Sequence, residues 1–146
     1  MLDQQLKHLF SNYHQAFKAQ NIDQVLAYYH LPCTLLTPDK LVLLSTKESF
    51  DLEFEKIFIG IKQAGITSFK ALEASYAQIN NDIVVVNVHW QFFAENDEII
   101  ADFYALYHIL KSAITKSGQQ LKIFQVISHE VKSTLTFPLN LTETVE

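Results

Sequence analysis

Beyond Gly65 the chain changes its hydrophobic period, and that change constrains the fold more than any other feature. Ile66 to Ile79, Asp82 to Ala94, Ile99 to Ser112 and Leu121 to Lys132 are four long runs rich in Val, Ile, Phe and Tyr, the residue types that suit a pleated, half-buried surface. Asn80-Asn81, Glu95 to Glu98 and a turn at Gly118 separate them, connections too short for crossovers between parallel strands. An antiparallel meander of four long strands is predicted.

Ahead of Gly65 the period is helical. Leu2, Leu6, Leu9, Phe10, Tyr13 and Phe17 recur at spacings of three and four, the stripe of an amphipathic helix reaching Ala19. Asn21 suits the N-cap of a second helix, Ile22 to His30, with Val25, Leu26 and Tyr29 inward and Pro32 ending it. Cys33 to Thr37 and Leu41 to Leu44 read as two strands joined by a turn at Pro38, Asp39 and Lys40. Thr46 then caps a third helix, in which Phe50, Phe54, Ile57, Phe58 and Ile61 repeat as far as Gly65. The whole predicts one α+β domain over residues 1–132, followed by a polar, acidic tail over 133–146.

Composition removes several function classes. The chain is 49% apolar, enough for one core, yet no run approaches the roughly 18–20 residues of a membrane helix. Its first residues lack the basic start and apolar stretch of a secretory signal, so a soluble, cytoplasmic protein with no membrane partner is expected. Cys33 is alone, which rules out a disulfide framework or a cysteine metal site within one chain. All 11 residues counted as Lys or Arg are lysines, so no bidentate arginine clamp on phosphate or carboxylate can form. A net charge of -5 argues against nucleic acid, and three glycines cannot write a phosphate loop or dinucleotide fingerprint. None of the six histidines forms an HxH or HxxxH pair, and His8 and His14 do not share a helical face. No metal or cofactor is expected.

Strand alternation assigns faces. Val84, Val86, Val88, Trp90 and Phe92 form one apolar set, which turns Asn87, His89 and Gln91 to the other side. On the next run Phe103, Ala105, Tyr107 and Ile109 share the inner face, leaving Asp102, Tyr104, Leu106 and His108 outside. On the last run Phe124, Val126, Ser128 and Glu130 compete with Ile123, Gln125, Ile127 and His129 for the inside. Val85, Phe93, Tyr104, Leu106 and Leu110 make the outer face apolar in places, so a homodimer through that face is expected.

The order of elements, the passage Tyr13 to Asp23 (YHQAFKAQNID) and the late strand LKIFQV resemble the nuclear-transport-factor-2-like superfamily, which includes SnoaL-like cyclases and ketosteroid isomerases. Leu121 stands where that strand usually begins with tryptophan. The resemblance implies a cone-shaped, curved antiparallel sheet wrapped around three N-terminal helices, a cystatin-like roll, with a hydrophobic cavity. It also implies roles. Tyr13 matches the isomerase tyrosine, whereas Thr37 occupies the position of the base and Tyr107 falls near that of the protonated acid. A two-tyrosine oxyanion hole from Tyr13 and Tyr107 stays chemically open, with Glu130, Glu73 or Asp39 as base. Asp39 either enters the cavity mouth or serves a turn, and Glu130 and Glu73 either border the cavity or lie in solvent. The Asp-Arg-Asp site of the family's epoxide hydrolases is excluded by the lack of arginine. The paired histidines of its dehydratases have counterparts in His89, His108 and His129, although the register turns the first two outward. Tyr29, Thr37, Trp90 and Phe124 are the candidate ligand contacts for an apolar small molecule. The expected function is therefore small-molecule binding in a hydrophobic cavity, with proton-transfer isomerase, cyclase or dehydratase activity as its enzymatic form. A noncatalytic ligand-binding or dimeric assembly domain is the alternative.

Overall fold

In the computed structural model, which describes residues 2–115 and 118–129, the change of period at Gly65 is also the boundary between the last helix and the first long strand. The chain runs α1 (Leu2–Lys18), α2 (Ile22–Leu26), β1 (Tyr29–Leu36), β2 (Leu41–Leu44), α3 (Lys47–Gln63), β3 (Ile66–Gln78), β4 (Ile83–Ala94), β5 (Ile99–Thr115) and β6 (Gly118–His129). The predicted acidic tail and Glu130 lie outside the described residues.

Local chemistry explains most helix ends. Asn21 accepts a hydrogen bond from the Gln24 backbone N–H at 3.2 Å and starts α2. Thr46 and Ser49 form a reciprocal capping box at the start of α3, each side-chain oxygen accepting the other's backbone N–H at 3.1 Å. Past the C-cap of α3, Gly65 adopts φ +75°, a left-handed turn that a β-carbon would penalise.

The second helix is shorter than its periodicity predicts. It ends at Leu26, and Tyr29 and His30 belong to β1, which continues through Pro32. Tertiary pairing explains the correction: Tyr29 lies opposite Ile123 of β6, and the Ile123 N–H donates to the Tyr28 carbonyl at 2.8 Å. Strand pairing on an existing sheet outweighs the marginal stability of an isolated two-turn helix.

The six strands form one curved, unclosed sheet in the order β2-β1-β6-β5-β4-β3, with β1 and β6 parallel and the other neighbours antiparallel. The helices pack on its concave face. Phe50 and Phe54 of α3, Val25 of α2, and Val84, Ile109 and Ile123 of the sheet are almost wholly removed from water. Phe50 and Phe54 stack with centroids 4.4 Å apart, which fixes one side of the core. On β4 and β5 the alternation read from the sequence matches the structure: Val84, Val86, Val88, Trp90, Ala105, Tyr107 and Ile109 are buried inward.

The last strand mixes the two competing faces. Tyr107 pairs with Val126 and His108 with Gln125, but Ile109 pairs with Ile123, so Phe124 is an extra residue without a partner on β5. This bulge reverses the parity: Leu121 and Ile123 are buried before it, and Val126 and Ser128 face inward after it. Phe124, expected inward with Val126 and Ser128, instead packs against His108, whose register puts it outside.

Candidate functional site: a neutral aromatic cavity

Between the helices and the concave face lies a cavity of about 240 Å³. Helix α1 supplies one wall through a spacing of four: Tyr13 and Phe17 present aromatic faces to it, with His14 beside them. β4 and β5 supply the opposite wall through alternation, with Trp90, Phe92, Phe103 and Tyr107. Phe54, Ile57 and Ile61 of α3 close one side, and Leu36 and Thr37 at the end of β1 form part of the rim.

Two hydrogen bonds organise the polar atoms in this wall. The Tyr13 and Tyr29 hydroxyls are 2.8 Å apart, and Trp90 Nε1–H donates to the Tyr107 hydroxyl at 3.0 Å. Because Tyr107 accepts from Trp90, its own O–H proton is uncommitted among the described residues. One proton of the Tyr13 and Tyr29 pair is likewise left over, since a single O–H serves their mutual bond. The rings also support one another edge to face, Tyr13 standing 6.1 Å from Tyr107 and 5.8 Å from Tyr29.

Burial keeps the phenols protonated. It raises Tyr13 to about 12 against the opposing bond from Tyr29, and it pushes Tyr29 and Tyr107 well above the usual tyrosine range. His14 moves the other way: burial lowers its pKa first and the Lys18 charge second, with a backbone hydrogen bond at Phe69 opposing both. Among the described residues the cavity wall contains no carboxylate and no lysine, so it is electrically neutral near pH 7.

The structure sorts the residues singled out from the sequence. Tyr13, Tyr29, Thr37, Trp90 and Tyr107 all line the cavity. The Thr37 hydroxyl is drawn into its own turn, accepting from the backbone N–H of Asp39 and of Lys40 at 3.3 Å each, while Asp39 stays exposed. Phe124 is displaced to the outer face by the bulge. Glu73 also faces outward, where it accepts the Tyr104 hydroxyl at 3.1 Å. His89 donates its Nε2–H to the Asp102 carboxylate at 2.5 Å and stacks on Tyr104, whose ring also meets His129 at 6.1 Å. The three strand histidines therefore belong to the outer surface. Among the described residues no group of three His, Cys, Asp or Glu side chains is placed to hold a metal ion.

Sequence reasoning missed His14 as a wall residue. It weighed this histidine only for metal spacing, although its position four residues after Phe10 and three before Phe17 puts it on the edge of the same helical stripe. A second cleft of about 400 Å³ runs along α1 between His8, Asn12, Tyr28 and Lys122, but it is more open and its lysine caps the Ala27 carbonyl. Outside the cavity, Glu53 is a nearly buried carboxylate held by Lys40 at 2.9 Å, which ties the β1–β2 turn to α3.

Comparison with known proteins agrees with this architecture. The ketosteroid isomerase-like protein of Erwinia carotovora shares 15% identity at a TM-score of 0.58, over 88% of this chain and 95% of its own. An NTF2-like protein of Shewanella oneidensis shares 12% at 0.62, over 88% and 98%. The yeast UBP3-associated protein BRE5 shares 10% at 0.68, over 91% and 98%. These likenesses concern the fold. No curated protein sequence matches the chain, and among the described residues no helix is long and apolar enough to cross a membrane. A family model described as NTF2-like protein (DUF6841) matches residues 3–131, and the chain, built as a curved sheet closing over three helices, belongs to that family.

Proposed function

We propose that this protein binds a small, uncharged, largely apolar molecule of one or two rings in the cavity. The observation that carries the reading is the concave wall of aromatic and aliphatic side chains with no fixed charge. A charged ligand entering it would lose hydration without a counter-charge, which is unfavourable by far more than the hydrophobic gain. Size narrows the choice further, because a cavity of roughly 150 Å³ accommodates benzene and this one offers about 240 Å³. The Tyr107 O–H would orient the occupant by donating to an oxygen. Proton-transfer catalysis asks for an inward carboxylate or histidine, and His14 is the one such group among the described wall residues. Binding needs only the neutral wall, so it is the better supported reading.

Trp90 is the chain's only tryptophan and stands in that wall, so its fluorescence reports occupancy. Titration with indane should change Trp90 emission saturably, and indane-2-carboxylate should bind at least about tenfold more weakly because its charge must be desolvated. Equal affinity for both, or no saturable response to indane, would overturn the proposal.

We infer also that two copies pair through the outer sheet face. Val85, Leu106 and Ile127 are outward residues of neighbouring strands and only half-buried in the single chain, Leu106 lying directly opposite Ile127, which supports an apolar contact there. Sedimentation should give twice the chain mass, and Leu106→Lys should give monomers without changing the indane affinity. A wild-type monomer at micromolar concentration would refute the pairing.

A further inference from the structure

Most polar side chains of the cavity wall are already engaged. The Thr37 hydroxyl is held in its own turn, the Tyr13 and Tyr29 hydroxyls bond each other, and Tyr107 accepts from Trp90. Ser128 differs from all of these. It lines the cavity, and among the described residues its hydroxyl has no hydrogen-bond partner. The partnerless side-chain polar atoms that are sealed from solvent belong, among the described residues, to His14, Asp51, Asn87 and His108. The Ser128 oxygen is therefore open rather than sealed, on a residue that is only half-buried.

The sheet explains both the position and the openness. Past the bulge of β6, Ser128 shares the inward face with Val126 and lies opposite Ala105 of β5, whose methyl group leaves room above the pair. On its other side Leu36 pairs with Ile127, so Ser128 stands at the rim where β1 gives way to the Thr37 turn. Tyr107 lies opposite Val126, two residues before Ser128 and so about 7 Å along the strand. That separation is comparable with the long axis of a two-ring skeleton.

An empty rim lets water serve the hydroxyl, but an occupant that fills the cavity displaces that water. It must then supply a polar atom of its own or leave the serine unpaired in an apolar wall. An alanine or valine at this point of β6 would face an all-hydrocarbon ligand without that cost.

We propose, resting on the reading of the cavity as a ligand site, that Ser128 is a specificity-determining residue. The occupant carries a second neutral oxygen, a hydroxyl or carbonyl at its rim end, hydrogen-bonded to the Ser128 hydroxyl, while its first oxygen meets Tyr107.

The test compares 1-indanone, with one oxygen, and 5-hydroxy-1-indanone, with oxygens at opposite ends, by isothermal titration calorimetry on the full chain. Wild type should bind 5-hydroxy-1-indanone at least as tightly as 1-indanone. Ser128→Ala should weaken 5-hydroxy-1-indanone about tenfold and leave 1-indanone within about twofold, and Ser128→Thr, which keeps the hydroxyl, should restore most of the loss. A wild-type preference for 1-indanone overturns the assignment without recourse to any variant, as does a Ser128→Ala effect equal for the two ligands. Failure of both ligands and of indane to bind wild type would instead overturn the ligand-site reading itself.

Discussion

The indole N–H of Trp90 on β4 donates to the hydroxyl of Tyr107 on β5 at 3.0 Å, both side chains being buried. The bond joins adjacent strands across the floor of the cavity and satisfies the donor of a buried indole. Tyr107→Phe should therefore destabilise the protein by about 1–3 kcal/mol, the cost of an unpaired buried N–H. Adding Trp90→Phe to that variant removes the orphaned donor, so the double variant should lose less than the sum of the two single ones. A urea-unfolding double-mutant cycle measures this coupling, and strict additivity would show that the bond contributes nothing.

Three phenols should resist ionisation. The folded state holds Tyr13 at about 12 and Tyr29 and Tyr107 well above the usual value, while the unfolded chain ionises them near 10. The folded state thus binds more protons in this window. Stability from these groups is fully present below pH 10 and is lost as the pH rises through the folded-state values. Ultraviolet titration of phenolate should show these tyrosines appearing together with loss of circular dichroism. Their smooth ionisation in a still folded chain would contradict the buried wall.

The acid limb has the opposite sign of proton binding. Burial lowers the pKa of His14, with help from Lys18, and burial likewise lowers that of His108. Between the ordinary value of 6.5 and the depressed folded values, the unfolded chain binds more protons, so stability is present above pH 6.5 and declines as the pH falls through the folded values. Melting temperatures measured downward from pH 7.5 should fall in this range for wild type and fall less steeply for a His14→Phe/His108→Phe double variant. Equal slopes would remove both histidines from the acid limb.

The bulge makes a prediction about two phenylalanines on one sheet. Phe92 lines the cavity, where it meets Phe69 at 4.6 Å and Phe103 at 5.0 Å, whereas Phe124 packs on His108 outside. Phe124→Ala should leave indane affinity within about twofold, and Phe92→Ala should weaken it by about tenfold or more through lost apolar contact. The reverse order would mean that Phe124, not Phe92, faces the ligand.

Much of the architecture was legible because it depends on local periodicity. The alternation of Val84, Val86, Val88 and Trp90 reveals the buried face of β4, and the placement of Tyr107 with Ala105 and Ile109 follows from the same rule on β5. Thr46 and Gly65 mark the ends of α3 through capping chemistry confined to a few residues. The family resemblance was legible as well, since it rests on the order of elements and on the Tyr13 to Asp23 passage.

Other features were hidden because they depend on partners far along the chain. Tyr29 has a helical spacing from Val25 and Leu26, and only β6, nearly a hundred residues later, pulls it into a strand. Phe124 alternates correctly with Val126 and Ser128, yet the fit of β6 between β1 and β5 forces in one extra residue and turns it outward. His14 looked like one polar residue at the margin of an amphipathic helix. Its place in the cavity wall exists only once Trp90 and Phe69 have folded over it. Sequence alone determined the elements and the inward faces of the regular strands, because steric preference and hydrophobic period act within a few residues. The tertiary structure alone decided the register at the bulge and the chemistry of the cavity, because both arise where separate elements compete for the same buried space.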